Sequence, residues 1–339
     1  MGSQVINDEA YLSLQRTVTK LHFGSNEEKK HAATAIERLA RESISARAIM
    51  VNLGAIPALV DMVDSSQLLL SAVEALIAIV NDSVTNKERL LEAGFLLTLP
   101  KGTSFVEEQE RTKVLELVLQ LSSFANGRYS DKITELVGSV LEAPMVSMEC
   151  TSACVGVLRQ LSENVGNALA IATNGVVPRL LRLVLEKQVS ASVLKILCRL
   201  MGISQVVRIM EKSGSVPGDF IEALKWKEHR SCQESSAYIL MVLWEKSKDQ
   251  RAKMMSLEIV PAMLEVALLG TPLAQKTAMR MMKSFQQDAA YQNKHKMHRK
   301  NTNCADGQRL MKDLVRQSLE NNLKFISLRA RQPSITQIN

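Results

Sequence analysis

The sequence predicts an all-α fold, a solenoid of helices stacked in repeated units. Three observations carry that prediction. The 339 residues are 46% hydrophobic but only 4% aromatic, with 15 Gly and 8 Pro, a composition that is aliphatic and poor in turn formers. An octet that is apolar at its positions 1, 2, 4, 5 and 8 occurs seven times, at intervals of 39 to 43 residues. Between octets runs a second pattern, an apolar stretch broken by Gly-x-x-Pro, as in VNLGAIPALVDMV (51–63) and ATNGVVPRLLRLV (172–184). Self-similarity at a fixed period marks a repeat architecture.

The elements follow in chain order. Residues 1–25 hold an N-terminal capping helix, INDEAYLSLQRTVTKLHF (6–23), with Leu12, Val18 and Leu21 as its apolar residues. A terminal repeat needs such a cover, because its open face otherwise exposes core. Residues 26–290 hold about seven units, the last incomplete. Their octets are AATAIERL (32–39), AVEALIAI (72–79), VLELVLQL (114–121), CVGVLRQL (154–161), VLKILCRL (193–200), SAYILMVL (236–243) and AMRMMKSF (278–285). Positions 1, 4, 5 and 8 fall on one stripe of a helix. Gly54, Gly175 and Gly214 stand three residues before Pro57, Pro178 and Pro217. Glycine accepts the left-handed conformation that ends a helix. Proline then opens the next helix in its first turn, where an N–H has no partner. Each copy predicts a helix end, a tight turn and a helix start. In SLEIVPAMLEVAL (256–268) Glu258 replaces the glycine ahead of Pro261. EAGFLLTLPKG (92–102) keeps Gly94 but moves the proline to Pro100, and RYSDKITELVGSVL (128–141) has no Gly-x-x-Pro at all.

Residues 291–306, YQNKHKMHRKNTNCAD, lack periodicity and predict a basic loop carrying Lys294, Lys296, Arg299 and Lys300. GQRLMKDLVRQSLENNLKFISLRAR (307–331) predicts an amphipathic helix, with Arg309, Lys312, Arg316, Lys324 and Arg331 on one face. Leu310, Met311, Leu314, Val315, Phe325 and Ile326 form the broad opposite side. It either caps the last unit or detaches to bind an acidic surface. Residues 332–339 read as a disordered tail.

Charge and motif content exclude several function classes. Residues 287–339 hold ten Lys/Arg against four Asp/Glu, and the remaining chain 32 against 31. The body is nearly neutral, which argues against a dedicated nucleic-acid surface and leaves an anionic partner to the tail. No Gly-rich phosphate loop, His-Glu-x-x-His or nucleophile elbow occurs, so no enzyme and no cofactor is expected. His295, His298 and Cys304 lack a fourth ligand, so no metal is expected either. Four of the five cysteines fall in apolar helical patterns and read as buried reduced thiols. Trp226 and Trp244 read as packing residues. No apolar run is long enough to span a bilayer and no secretory leader opens the chain. Cytoplasm or nucleus is the expected compartment.

Two short helices around Gly-Ala-Ile-Pro followed by a longer one, in about 40 residues, resemble an armadillo repeat. The resemblance covers residues 26–290 and implies a right-handed armadillo superhelix with terminal capping helices. The stretch LGTPLAQKTAMRMMKSF (269–285) is similar to the last repeat of the plant U-box armadillo family. No U-box precedes the repeats here, so the resemblance implies a U-box-less relative rather than a ubiquitin ligase. Armadillo receptors for nuclear import signals resemble one another in a ladder of Trp and Asn on the long helix, which holds a peptide. Along this chain the first row reads Thr34, Glu74, Glu116, Gly156, Lys195, Ile239 and Arg280. The second reads Arg38, Ala78, Gln120, Gln160, Arg199, Val242 and Ser284. Neither row holds a Trp or an Asn, which argues against import-signal binding. Gln120 and Gln160 keep an amide that both donates and accepts.

The expected function is a non-enzymatic scaffold that binds an extended or helical protein segment in the concave groove. The candidate groove residues are Thr34, Arg38, Glu74, Glu116, Gln120, Gln160, Lys195, Arg199, Ile239, Val242, Arg280 and Ser284. Their mixed charge suggests a partner with patterned charge. An adaptor role in a ubiquitin-ligase pathway, or binding of anionic lipid or nucleic acid through the tail, stands as an alternative.

Overall fold

The computed structural model describes residues 8–99, 107–124, 127–143, 146–257 and 259–297, with the backbone alone at 127–128 and 288–297. The readings for Pro100, Arg299, Lys300, Arg309, Lys312, Arg316, the 307–331 helix and the 332–339 tail lie outside the described residues. The described residues are all helix, turn and loop, with no strand among them.

The helices follow the expected grouping. After α1 (Asp8–Phe23) and the long α2 (Asn26–Glu42) come α3 (Ile44–Asn52), α4 (Ala55–Met62) and the longer α5 (Leu69–Val80). Next are α6 (Val84–Glu92), a 3-10 turn at Phe95–Leu97 and α7 (Glu108–Leu121), then α8 (Gly127–Glu142) and α9 (Met148–Leu161). α10 (Val165–Thr173), α11 (Val176–Arg182) and α12 (Ser190–Leu200) precede α13 (Ser204–Lys212), α14 (Gly218–Leu224) and α15 (Arg230–Lys246). The described chain ends with α16 (Lys248–Ser256), α17 (Ile259–Leu269) and α18 (Pro272–Met297). All seven octets lie on long helices of this series. The chain forms two compact bodies, Met1–Leu183 with Lys195–Val206, and Val184–Leu194 with Val207–Asn339.

The hinges work as expected where glycine and proline keep their spacing. Gly54 and Gly175 adopt φ of 87° and 69°, and α3 and α4 meet at Gly54 with a bend of 76°. Pro57 and Pro178 stand third in α4 and α11, inside the first turn. Gly94 is also left-handed, at φ 81°, and leads into the 3-10 turn. Two expectations are corrected. Gly214 is not among the left-handed glycines, and Pro217 caps α14 from outside instead of opening it. The stretch 128–141, which lacks both hinge residues, lies in one uninterrupted helix, α8, because nothing breaks its periodicity. A third correction concerns the segment after residue 290. Residues 291–297 continue α18, so the basic loop cannot begin at 291.

Hydroxyl and amide side chains start the helices. Ser25 and Glu28 form a reciprocal capping box on α2, and these bonds from Ser25 hold the Glu28 carboxyl below its usual range. Ser43, Ser83, Ser147 and Ser247 each accept from the amide three residues on. The first of these short helices then caps the long helix before it. Arg47 of α3 donates Nε and Nη2 to the Ala40 carbonyl at 3.0 and 2.7 Å, and Nη1 to the Asn81 carbonyl at 2.7 Å. Asn86 bonds the Ile79 carbonyl, and Arg251 the Trp244 carbonyl, each seven residues back. These are the carbonyls a helix end leaves without partners.

The cores are aliphatic. In the first body Ile36, Leu76, Val118 and Leu158, all at octet position 5, are fully buried. In α1 the buried row is Leu14, Val18 and Leu21. Leu12 faces out, because it sits two residues, or about 200°, from Leu14 on the helix. In the second body Trp244 packs edge-on against Phe285, with ring centroids 4.4 Å apart, as a packing residue should. Cys150, Cys154 and Cys232 are buried free thiols and Cys198 is half-buried. Burial pushes the Cys232 thiol up. Among the described residues no group of three His, Cys, Asp or Glu is placed to hold a metal ion, and no single helix is long and apolar enough to cross a membrane.

Candidate partner-binding face

In the first body, four long helices, α2, α5, α7 and α9, pack in succession, and the surface they form carries Ala78, Glu116, Gln120 and Gln160 of the predicted rows at its pockets. Two pockets open on it. The first, about 400 Å³, is lined by Arg41 and Arg47, by Ile77, Ala78 and Asn81, and by Lys113, Glu116 and Gln120. The second, about 510 Å³, is lined by Ser122, Ser123, Gln160, Glu163, Asn164, Val165 and Asn167. Each pocket therefore receives one of the two glutamines from the second ladder row. Buried Ser122, at the end of α7, places its hydroxyl 2.8 Å from the Leu119 carbonyl and 2.9 Å from the Gln160 amide on α9.

Charge on this face is mostly matched in place. Arg38 pairs with Glu42 at 3.2 Å, Arg41 with Glu37 at 2.8 Å, and Lys113 with Glu116 at 2.9 Å. Glu74 stands between the last two pairs. It makes no hydrogen bond or ion pair among the described residues. Burial raises its carboxyl pKa, the Glu37 charge raises it further, and Lys113 and Arg41 pull it back. A carboxylate in that setting gains from a cation brought by a ligand. Thr34 is exposed and returns its hydroxyl to the Lys30 carbonyl. Lys195 is exposed.

Arg199 differs from the expectation. Its guanidinium bonds the Arg159 carbonyl at 3.0 Å, the Ser162 hydroxyl at 2.9 Å and the Glu163 carboxylate at 3.3 Å. It is a cap on the end of α9, so its charge is committed to the fold. In the second body Ile239 is fully buried and Val242 is buried as well, so neither offers a contact. The exposed neighbour is Tyr238, the third residue of SAYILMVL when counted from Ser236. Sequence reasoning missed it by one position, although the octet's own spacing identifies it. Arg280 pairs with Glu245 at 2.8 Å, and half-buried Ser284 bonds the Arg280 carbonyl. The side chains of Lys294 and Lys296 lie outside the described residues.

Comparison with family models gave no match, and comparison with curated proteins gave none. Solved structures do resemble the chain. The designed armadillo repeat protein YIII(Dq)4CqI superposes with a TM-score of 0.55 at 18% identity, over 68% of this chain and 99% of that one. The fold is an armadillo-type α-solenoid. A second designed armadillo repeat protein, solved with the peptide (KR)4, gives 0.54 at 19% identity over 68% and 99%. An engineered protein gives 0.61 at 17% identity, over 79% of this chain and 66% of that one.

Proposed function

We propose that the protein is a non-enzymatic scaffold that binds an extended segment of a partner protein along the α2–α5–α7–α9 face. The observation that carries this reading is the placement of Gln120 and Gln160 in two pockets on successive long helices. Packed helices stand about 8–10 Å apart, and two to three residues of extended chain cover the same distance at about 3.3 Å each. One amide per helix thus matches a repeating backbone carbonyl or N–H. Ser122 Oγ lies 2.9 Å from one end of the Gln160 amide, which leaves the other end of that amide for a peptide backbone group. Glu74 supplies the charged contact, to a Lys or Arg on the bound segment. The solved complex of a designed armadillo protein with the peptide (KR)4 supports a basic occupant. An adaptor role in a ubiquitin-ligase pathway rests on the resemblance of residues 269–285 alone and stands second.

A peptide array probed with the intact chain tests the reading. Selected peptides should carry a Lys or Arg. Gln120→Ala and Gln160→Ala should each weaken binding about tenfold, since a net hydrogen bond contributes about 1 kcal/mol and a buried partner left unpaired adds to that. Helicity should not change. Selected peptides that bind the double variant as tightly as the native chain would refute the groove.

A further inference from the structure

Octet positions divide by the side they face. In the four octets that lie wholly in the first body, positions 2 and 5 are always buried: Ala33 and Ile36, Val73 and Leu76, Leu115 and Val118, Val155 and Leu158. Positions 4 and 8 are buried in the later three but only half-buried in the first, at Ala35 and Leu39. That first octet has only the single helix α1 before it. Positions 4 and 8 therefore face the preceding unit, and positions 2 and 5 the following one.

In the second body α15 packs against α18. Ala278, Met281 and Phe285, at positions 1, 4 and 8 of the last octet, are buried accordingly. Positions 2 and 5 break the rule. Met279 is 53% exposed, and Met282 is half-buried. The last described unit thus keeps Met279 and Met282 uncovered on the side where every complete unit of the first body is covered.

We infer that this face is covered by the chain's own residues 307–331. Forty-two residues follow Met297. A 25-residue helix is about 37 Å long and the 26-residue α18 about 39 Å, at 1.5 Å per residue. One can lie along the other. The nine residues 298–306 span up to about 30 Å, enough to reverse direction. A short tether holds the segment at an effective concentration in the millimolar range, which a free partner must outcompete. Leu310, Met311, Leu314, Val315, Phe325 and Ile326 supply the neighbours that Met279 and Met282 lack, and the Lys/Arg row of the same segment stays in water. The inference stands apart from the peptide-binding face, which lies in the other body.

Methionine oxidation of the intact chain by dilute peroxide tests it, because sulfoxide formation follows exposure. Met255 on α16 is 51% exposed and serves as the internal reference. Met279 should react about tenfold more slowly than Met255, a ratio equal to ~1.4 kcal/mol of docking free energy. Leu314→Asp with Ile326→Asp should bring the two rates together, and the milder Leu314→Ala should give an intermediate rate. Equal rates in the intact chain overturn the inference without need of any variant. So does protection that survives both aspartates. Protection that vanishes on dilution assigns the face to a second copy and overturns it as well.

Discussion

Replacing Arg47 isolates what holds successive units together. Its guanidinium reaches two helix ends at once, with two bonds to the Ala40 carbonyl and one to the Asn81 carbonyl. Hydrogen bonds to a charged donor contribute about 1.5–3 kcal/mol, and a cation at a helix C-terminus about 0.3–1 kcal/mol. Ala40 is fully buried, so its carbonyl has no ready substitute donor. The bond to Asn81 is exposed, and water replaces much of it. Arg47→Ala should therefore cost roughly 2–4 kcal/mol. For a body of this size each kcal/mol lowers the melting temperature by about 2–4 °C, giving a drop of roughly 4–16 °C.

Two controls sharpen the test. Arg47→Lys keeps the charge but cannot fork to two carbonyls, so it should recover less than half of the loss. Arg38→Ala removes an exposed pair within one helix and should cost only about 0.3–0.5 kcal/mol. Urea unfolding followed by circular dichroism reads all three. If Arg47→Ala proves no more costly than Arg38→Ala, the bridged carbonyls do not stabilise the stack and the reasoning fails.

Gly54→Ala forces a left-handed φ on a residue with a Cβ and should cost about 1–2 kcal/mol. Gly214→Ala, where nothing lies within 4 Å of an added Cβ, should be neutral or stabilise by up to ~1 kcal/mol; equal effects in thermal melts would sink the hinge argument. Glu74 binds its proton more tightly folded than unfolded, so its charge lowers stability at neutral pH. That cost relaxes as pH falls through the raised pKa toward the unfolded value near 4.5. Glu74→Gln should accordingly stabilise at pH 7 and lose its advantage in acid, and a pH-independent difference would show that burial of the charge is not the cause.

The period was legible because each long helix must bury the same stripe. Seven octets in phase survived the loss of one hinge and the displacement of another. The hinges were legible where a backbone conformation demanded glycine, at Gly54 and Gly175, and misread at Gly214, where spacing alone imitated the motif. The face was half legible. Gln120 and Gln160 fall where the octet places them, and each lines a pocket. Ile239 failed because a row counted one residue off along a helix turns by about 100° and lands in the core. Arg199 failed for another reason: its partners, Arg159, Ser162 and Glu163, lie some 40 residues away, and no local pattern shows that a cation is already engaged.

That last point bears on how the proposed face would select a partner. Counting charges along the sequence gives a mixed ladder in which Arg38, Arg199 and Arg280 seem available to acidic groups. In the folded chain each of these three already meets an acid, Glu42, Glu163 and Glu245, whereas Lys195 on α12 is exposed and makes no ion pair among the described residues. Arg41 and Lys113 are likewise held by Glu37 and Glu116. An acidic ligand would have to displace these carboxylates, and the exchange returns little because one ion pair replaces another of similar exposure. On the α2–α5–α7–α9 face Glu74 is the exception, since its charge is partly desolvated and meets no donor among the described residues. A cationic side chain placed there gains an interaction without breaking one. On the proposed reading, the amides of Gln120 and Gln160 would read backbone rather than sequence. A segment bound this way would owe its register to one Lys or Arg and its affinity to repeated main-chain hydrogen bonds, which is a division of labour that a neutral, amide-bearing face can support and a strongly charged one cannot.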